Sequence, residues 1–321
     1  MPALPPAYIR LHETGELARR IEAVSAILQD CTLCPRHCHV NRLEGQVGVC
    51  RVGRLPLVSS YGPHFGEERP LVGRHGSGTI FLTGCNLRCV FCQNYEISQF
   101  GEGREATVAE LGEMMLALWR QGCHNLNFVT PTHQVAQILA ALPYAIERGL
   151  DLPLVYNCGG YEELATLRLL DGIFDIYMPD FKYGDSATAQ RLSGVPHYVE
   201  TAKEALREMH RQVGALQLDE RGLAVRGLLV RHLVLPEGLA GHGFHCPRAL
   251  AGHLCQHHGP VPSLFQGGRP PASGPADHPA GVRRGGPLRP GAWAQQAGRD
   301  HGVKDTPGLR GLVLAVGSEA T

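Results

Sequence analysis

Short apolar runs alternate with helical patterns from residue 76 to residue 240, and this alternation limits the fold more than any other feature. The runs predict strands at 78–83, 125–130, 152–156, 173–178 and 228–235. Helical spacing predicts helices at 109–121, 135–148, 161–170 and 198–213. Because strand–helix–strand units connect through right-handed crossovers, the pattern predicts an α/β fold with a parallel sheet. Polar residues follow the strand ends, where such sheets build their sites.

Three cysteines follow the first predicted strand within eight residues. Cys85, Cys89 and Cys92 form a C-x3-C-x2-C run, and each thiolate can bind a different iron of a cubane [4Fe-4S] cluster. No fourth cysteine follows in this loop, so one iron keeps a position open for a substrate or cofactor. A structural zinc site needs four ligands, and cysteines that only fill a core need no such spacing. The spacing therefore favours an iron–sulfur cluster over either alternative.

A second group of cysteines lies near the N-terminus. Cys31, Cys34, Cys38 and Cys50 form C-x2-C-x3-C-x11-C. Four thiolates at this spacing suit a metal site that holds either zinc or a second iron–sulfur cluster. Such a site can stabilise a segment that has little core of its own. The alternative is that some of these cysteines are free surface thiols.

Composition excludes several classes of protein. The 321 residues carry no net charge and 43% are apolar, so nothing favours binding to nucleic acid or to an anionic membrane. The first residues lack the pattern of a signal peptide, and no apolar stretch approaches the ~20 residues of a membrane helix. Eleven cysteines without export features predict a protein of the reducing cytoplasm, where clustered cysteines commonly bind metals.

The two cysteine groups together resemble those of one enzyme family. The C-x3-C-x2-C run, with Phe91 before its last cysteine, resembles the radical S-adenosylmethionine (radical SAM) superfamily. The segment Cys-Pro-Arg-His-Cys-x-Val-Asn-Arg-x-x-Gly-x-x-Gly-x-Cys, at 34–50, resembles the N-terminal extension of a branch related to pyruvate formate-lyase activating enzyme. The resemblance implies a partial (βα)6 TIM-like barrel. It also implies a [4Fe-4S] cluster, bound SAM, and an electron donor such as flavodoxin or ferredoxin.

The same resemblance implies an activity and an oxidoreductase role. SAM is cleaved reductively to a 5′-deoxyadenosyl radical, which abstracts hydrogen from a substrate, for this branch a glycyl-radical protein. Two alternatives stay open from the sequence. One is a non-catalytic iron–sulfur or zinc protein for electron relay or scaffolding. The other is a damaged radical SAM chain that binds a cluster without turning over. Fold resemblance alone does not choose the substrate.

The resemblance also assigns SAM contacts beyond the cysteines. Asn157 stands where the activating enzymes place a ribose contact, and Asp180 and Lys182 match their Asp-x-Lys motif near the methionine end of SAM. The family's Gly-Gly-Glu-type motif after the second strand is absent. Thr130-Pro-Thr-His133 stands there instead, and its hydroxyls and His133 are expected to bond the SAM amine. The residues do not identify a catalytic side chain.

The last 81 residues differ from the rest. Residues 241–321 contain 16 Gly and 10 Pro and no Ile, Met, Tyr or Asn, so they are expected to be disordered. The composition resembles GC-rich coding sequence read in a wrong frame; a flexible linker is the alternative. No sixth strand is apparent, which predicts a barrel that is incomplete at its C-terminal end and an exposed edge at 228–235. The predicted organisation is an N-terminal cysteine-rich segment (1–75), a barrel (76–240) and this tail.

Overall fold

The computed structural model describes residues 5–233 and 254–258. The described helices are α1 (Ala7–Glu13), α2 (Glu16–Ala26), α3 (Arg69–Val72), α4 (Val108–Arg120), α5 (Val135–Ile146), α6 (Leu164–Leu169), α7 (Ser186–Ser193) and α8 (Tyr198–Val213). The described strands are β1 (Leu57–His64), β2 (Ser77–Leu82), β3 (Arg104–Glu105), β4 (Leu126–Val129), β5 (Leu154–Cys158), β6 (Ile176–Phe181), β7 (Gln217–Leu218), β8 (Ala224–Leu233) and β9 (Leu254–His258).

One mostly parallel sheet forms the centre of the fold. Strands β2, β4, β5, β6 and β8 pair in parallel in that order, and helices α4, α5, α6, α7 and α8 lie along the chain between them. On the other edge of β2, β1 and then β3 add in antiparallel fashion. The sheet of the described residues is open rather than closed. The predicted α/β architecture, a partial TIM-like barrel, is confirmed.

Strand β9 lies within the Gly/Pro-rich tail and corrects one expectation. Its backbone pairs in parallel with residues 229–233 of β8, while β7 pairs with the first half of β8. The prediction that the tail supplies no sixth parallel strand, and that β8 therefore has a bare edge, is wrong. The composition of the tail does not predict β9, because a five-residue strand needs few apolar residues when its backbone can pair with a strand already in place. The expected disorder of the remaining tail falls outside the described residues.

The N-terminal segment shares its core with the barrel. Tyr8, Leu17 and Val24 are fully buried in the main apolar core, and the Tyr8 hydroxyl donates to the Leu152 carbonyl at 2.9 Å. Helix α2 buries one face because its apolar residues recur at helical spacing. Since β1 also belongs to the sheet, residues 5–75 pack as part of the same body as the barrel.

The ends of the central parallel strands bring the polar residues to one edge. Helix α4 begins with a capping box in which Thr107 and Glu110 bond each other's backbone N–H groups. Helix α8 follows the loop after α7 and covers β6. Among the described helices, none combines the length and apolar character needed to cross a bilayer.

In a parallel sheet a site forms at the carboxyl ends of the strands. In this chain that region comprises the loops after β2, β5 and β6 and the neighbouring residues of β8.

Candidate active site

The cysteine loop follows β2 and is held by backbone contacts from two directions. Asn86 donates its side-chain amide to the Tyr161 carbonyl at 2.7 Å. The backbone N–H groups of Arg88 and Val90 donate to carbonyls at the end of α7. At the start of the loop, Gly84 has φ +85°, and a Cβ there would lie 2.4 Å from the Cys50 carbonyl oxygen. The loop is thus fixed before any ligand binds, and only glycine fits at its first position.

The three predicted cluster ligands converge in this loop. Cys89 is buried, and Cys85 and Cys92 are half-buried. Burial raises the pKa of the Cys85 thiol, and the neighbouring thiols raise it further. Burial also raises the pKa of Cys89, against the effect of the Lys182 ammonium and of a hydrogen bond from Ser193. Three thiols that interact this closely, beside a cation, fit the protein side of a cluster that leaves one iron open.

The described residues contain no group of three Cys, His, Asp or Glu side chains arranged for a single metal ion. In a cubane cluster each thiolate binds a separate iron, so the ligands need not surround one ion. The convergence of Cys85, Cys89 and Cys92 in one loop therefore suits a cluster rather than a single metal ion. Two hydroxyls also contact these sulfurs. Ser193 donates to Cys89 Sγ at 2.8 Å, and Ser98 Oγ lies 3.2 Å from Cys92 Sγ. Hydrogen bonds of this kind tune the metal centre that the thiolates hold.

A network of five polar side chains joins the ends of β5 and β6, the second half of β8 and Glu67, which lies between β1 and α3; we call it the Asp180 network. Arg231 donates to Asp180 Oδ1 at 2.7 Å and to Asn157 Oδ1 at 2.6 Å. Its Nη1 lies 3.5 Å from Glu67 Oε2, and Lys182 Nζ bonds the other oxygen of Asp180. Burial acts to raise the pKa of Asp180, but the charges of Arg231 and Lys182 outweigh it and lower the pKa to about 2. The network holds two cations against two carboxylates.

The structure brings together the three residues that resemblance placed near SAM at these strand ends. Asn157, Asp180 and Lys182 share the network, and Lys182 lies close enough to influence Cys85 and Cys89. Sequence reasoning missed Arg231 and Glu67. Arg231 interrupts the apolar run of β8, and a charged residue inside a buried strand is a signal that could have identified it.

Thr130 and His133, the other predicted SAM contacts, separate in the structure. The Thr130 backbone N–H donates to the Asn157 carbonyl at 2.8 Å, and its φ of +61° is rare for a β-branched residue. His133 is 1% exposed and its Nε2 lies 2.9 Å from the Thr83 carbonyl oxygen. His133 lies beside the cavity of the N-terminal cysteines, and within residues 5–233 no hydrogen bond joins it to Asn157, Asp180 or Lys182. For both residues, contact with SAM stays a prediction.

The four N-terminal cysteines line one cavity. Cys31 and Cys34 are buried, and Cys38 and Cys50 are half-buried. The backbone turns back on itself here, because the Cys31 N–H donates to the Val40 carbonyl at 3.1 Å. The structure therefore brings the predicted second group of ligands together at a single place.

A comparison with protein families identifies the central part of the chain. Residues 79–214 match the model of the Radical SAM superfamily. This range contains the cysteine loop, Asn157, Asp180 and Lys182. These residues are therefore similar to the radical SAM superfamily, and the match does not distinguish the pyruvate formate-lyase activating branch.

Two curated proteins of Methanocaldococcus jannaschii are similar in sequence. The uncharacterized protein MJ0674 is 33% identical over 229 residues, which are 68% of this chain and 61% of that protein. The uncharacterized protein MJ0808 is 28% identical over 159 residues, 44% of this chain and 46% of that protein. This chain thus spans about three fifths and about half of their lengths.

Two solved structures show a more distant likeness. One is native anSMEcpe with bound AdoMet, with a TM-score of 0.33 and 10% identity, covering 47% of this chain and 42% of that one. The other is TYW1 with a lysine-pyruvate adduct bound, with a TM-score of 0.30 and 10% identity, covering 49% of this chain and 55% of that one. Both TM-scores are too low to establish a shared fold.

Proposed function

We propose that the protein is a radical SAM enzyme whose site lies between the cysteine loop and the Asp180 network. When bound, the [4Fe-4S] cluster and SAM supply the one-electron cleavage that yields a 5′-deoxyadenosyl radical for hydrogen abstraction. The single observation that carries the proposal is the position of Lys182. It bonds Asp180 and lies close enough to influence the Cys85 and Cys89 thiols, which joins the two halves of the site.

The network suits the methionine end of SAM, which carries one carboxylate and one ammonium. Lys182 and Arg231 are cations that can bond a carboxylate, and Glu67 and Asp180 are carboxylates that can accept from an ammonium. These four side chains pair with one another, so they are held in place before a ligand binds. SAM would then replace some of these ion pairs by contacts to side chains that are already positioned. Asn157, held by Arg231, offers its amide for the ribose.

The Tyr198 hydroxyl holds the backbone of Lys182 in position. It accepts from the Lys182 backbone N–H at 3.0 Å and lies 2.8 Å from the Gly159 carbonyl oxygen and 2.9 Å from that of Asp180. Tyr198 is fully buried. The hydroxyl therefore ties together the chain after β5 and the end of β6, the two places that present Asn157 and Lys182.

The substrate and partners belong to the same proposal. The likeness of residues 34–50 to the extension of the activating enzymes supports a glycyl-radical protein as the substrate, and a flavodoxin or ferredoxin as the electron donor. The nine cysteines of residues 5–233 are free thiols, which is consistent with the reducing cytoplasm. The test is to incubate the reduced protein and SAM with a candidate glycyl-radical protein and to record the EPR doublet of a glycyl radical.

SAM binding should depend on Lys182. In the anaerobically reconstituted protein, SAM is expected to change the EPR spectrum of the reduced cluster, and dithionite is expected to release 5′-deoxyadenosine. Lys182→Ala should weaken SAM binding by roughly 1–3 kcal/mol, because a charge-assisted contact is lost. The exposed Lys203→Ala on α8 is the matched control and should bind as the parent does. Equal SAM affinity in both variants, or a spectrum that SAM does not change, would contradict the proposal.

The Ser193 hydroxyl should set the reduction potential of the cluster. It donates to Cys89 Sγ at 2.8 Å and also bonds the Tyr183 hydroxyl. Ser193→Ala is expected to lower the midpoint potential, because a donor to the sulfur stabilises the more negative reduced state. An EPR-monitored redox titration measures the shift. Ser186→Ala, at the other end of α7 and bonded to Glu200, is the control, and a shared potential would show that the hydrogen bond has no such role.

A further inference from the structure

We infer that Cys31, Cys34, Cys38 and Cys50 hold a second, anionic metal–thiolate centre, and that the buried guanidinium of Arg42 is its counter-charge. This centre goes beyond the proposed function, since the barrel site has its own ligands and its own charges. Because the described cysteines are not arranged around a single metal ion, the centre is a cubane iron–sulfur cluster held by four thiolates.

The first step is the cavity itself. The four cysteines line one cavity, which Arg42 and His133 also line. The chain makes room for the sulfurs, because a Cβ on Gly48 would lie 2.7 Å from Cys38 Sγ. Sulfur atoms that share a cavity walled by a cation are placed as ligands rather than as scattered surface thiols.

The second step is the charge of Arg42. Its side chain is among the largest that are fully buried, at 1% exposure. It donates to the His133 carbonyl at 2.8 Å and to the Gly53 carbonyl at 3.0 Å, and Nη1 lies 3.9 Å from Cys31 Sγ. Within residues 5–233, no ion pair joins Arg42 to a carboxylate.

A buried guanidinium without an opposite charge is costly, so buried charges are normally paired or lie beside a metal centre. Four thiols are neutral and leave Arg42 uncompensated. Four thiolates around an oxidised cubane leave a net charge of about −2. Because Arg42 contacts Cys31 and its charge acts on Cys50, the metal-bound state supplies the missing negative charge.

The experiment isolates this site in the full chain. In a Cys85→Ala, Cys89→Ala, Cys92→Ala variant, purified and reconstituted anaerobically, analysis should find about four iron per chain, with visible absorption and an EPR signal on reduction. Adding Cys34→Ala should remove the iron. A triple variant that binds no iron and sulfide after reconstitution overturns the inference, whereas the proposed function is tested separately, by SAM binding to the parent.

The role of Arg42 has its own test in the same background. In Arg42→Met, a chelator concentration at least tenfold lower than in the triple variant alone should remove half of the metal. Arg42→Lys should keep most of the resistance to the chelator. The exposed Arg54→Met is the matched control. Arg42→Met removes a charge that has no partner in the metal-free protein, so the melting temperature of that state should stay the same or rise. The melting temperature of the metal-loaded protein should fall. Equal chelator resistance in Arg42→Met and Arg54→Met overturns the counter-charge.

Discussion

Replacing Cys89 by alanine is expected to abolish cluster binding at the loop after β2 and to stop the release of 5′-deoxyadenosine. Two thiolates are too few to hold a cubane that already has one open iron. Cys89 is also the most buried of the three sulfurs and the one that accepts from Ser193, so no other side chain can replace it. The measurements are iron content, the SAM-dependent EPR change and product release after anaerobic reconstitution.

The control for this variant is Cys123→Ala. Cys123 is also buried, and it follows α4 away from the cysteine loop. It should keep the cluster and the activity of the parent. Because the N-terminal cysteines can hold iron of their own, the SAM-dependent signal rather than total iron decides the outcome. A Cys89→Ala protein that still shows that signal would remove the loop as the site.

Replacing Arg231 by methionine should have the largest effect on stability. Arg231 is 16% exposed, Asp180 20% and Glu67 9%. Its loss leaves two carboxylates close together with only Lys182 beside them. Removing one partner of a buried pair costs about 3–5 kcal/mol, and urea unfolding at neutral pH measures the change. Arg226→Met on the same strand, whose guanidinium bonds the Gln212 carbonyl, should cost only about 1 kcal/mol.

The same variant should change how stability depends on pH. The pKa of Asp180 in the folded protein, about 2, lies below the ordinary value of 3.8. Its pairing therefore stabilises the fold above pH 4 and is lost as the pH falls from about 4 towards 2. Between pH 5 and pH 3, Asp180 should cost the parent about 1 kcal/mol of unfolding free energy. Arg231→Met should lose less over this interval, and an identical slope would contradict the lowered pKa.

Local periodicity predicted the barrel because each strand and helix there is long and regular. Helix α8 was predicted with the bounds that the structure shows, since its buried face repeats at 3.6 residues over Tyr198–Val213. Sequence patterns predict no helix or strand before residue 76, whereas the structure has α1, α2 and β1 there. Their apolar residues are few and become buried only against β-strands and helices far along the chain. Strand β9 shows the same limit, because its position depends on β8 rather than on its own residues.

The candidate site divides in the same way. Motif spacing identifies both cysteine groups, and resemblance identifies Asn157, Asp180 and Lys182. Arg231 and Glu67 enter only through distances between strands and loops, which sequence separation does not contain. His133 lies three residues from Thr130 and was assigned with it. The chain turns at Thr130, however, and the imidazole bonds the Thr83 carbonyl oxygen.

Arg36 connects the two cysteine segments through hydrogen bonds. It stands between Cys34 and Cys38, and its guanidinium donates to the Asn86 carbonyl at 2.8 Å and to the Gly194 carbonyl at 2.7 Å. Asn86 stands between two of the loop cysteines, and Gly194 follows the helix whose last residue contacts Cys89. A single side chain thus braces one ligand loop against the other. Removing the first 55 residues would remove these contacts from the cysteine loop, so the N-terminal segment belongs to the same folded unit rather than to a separable domain.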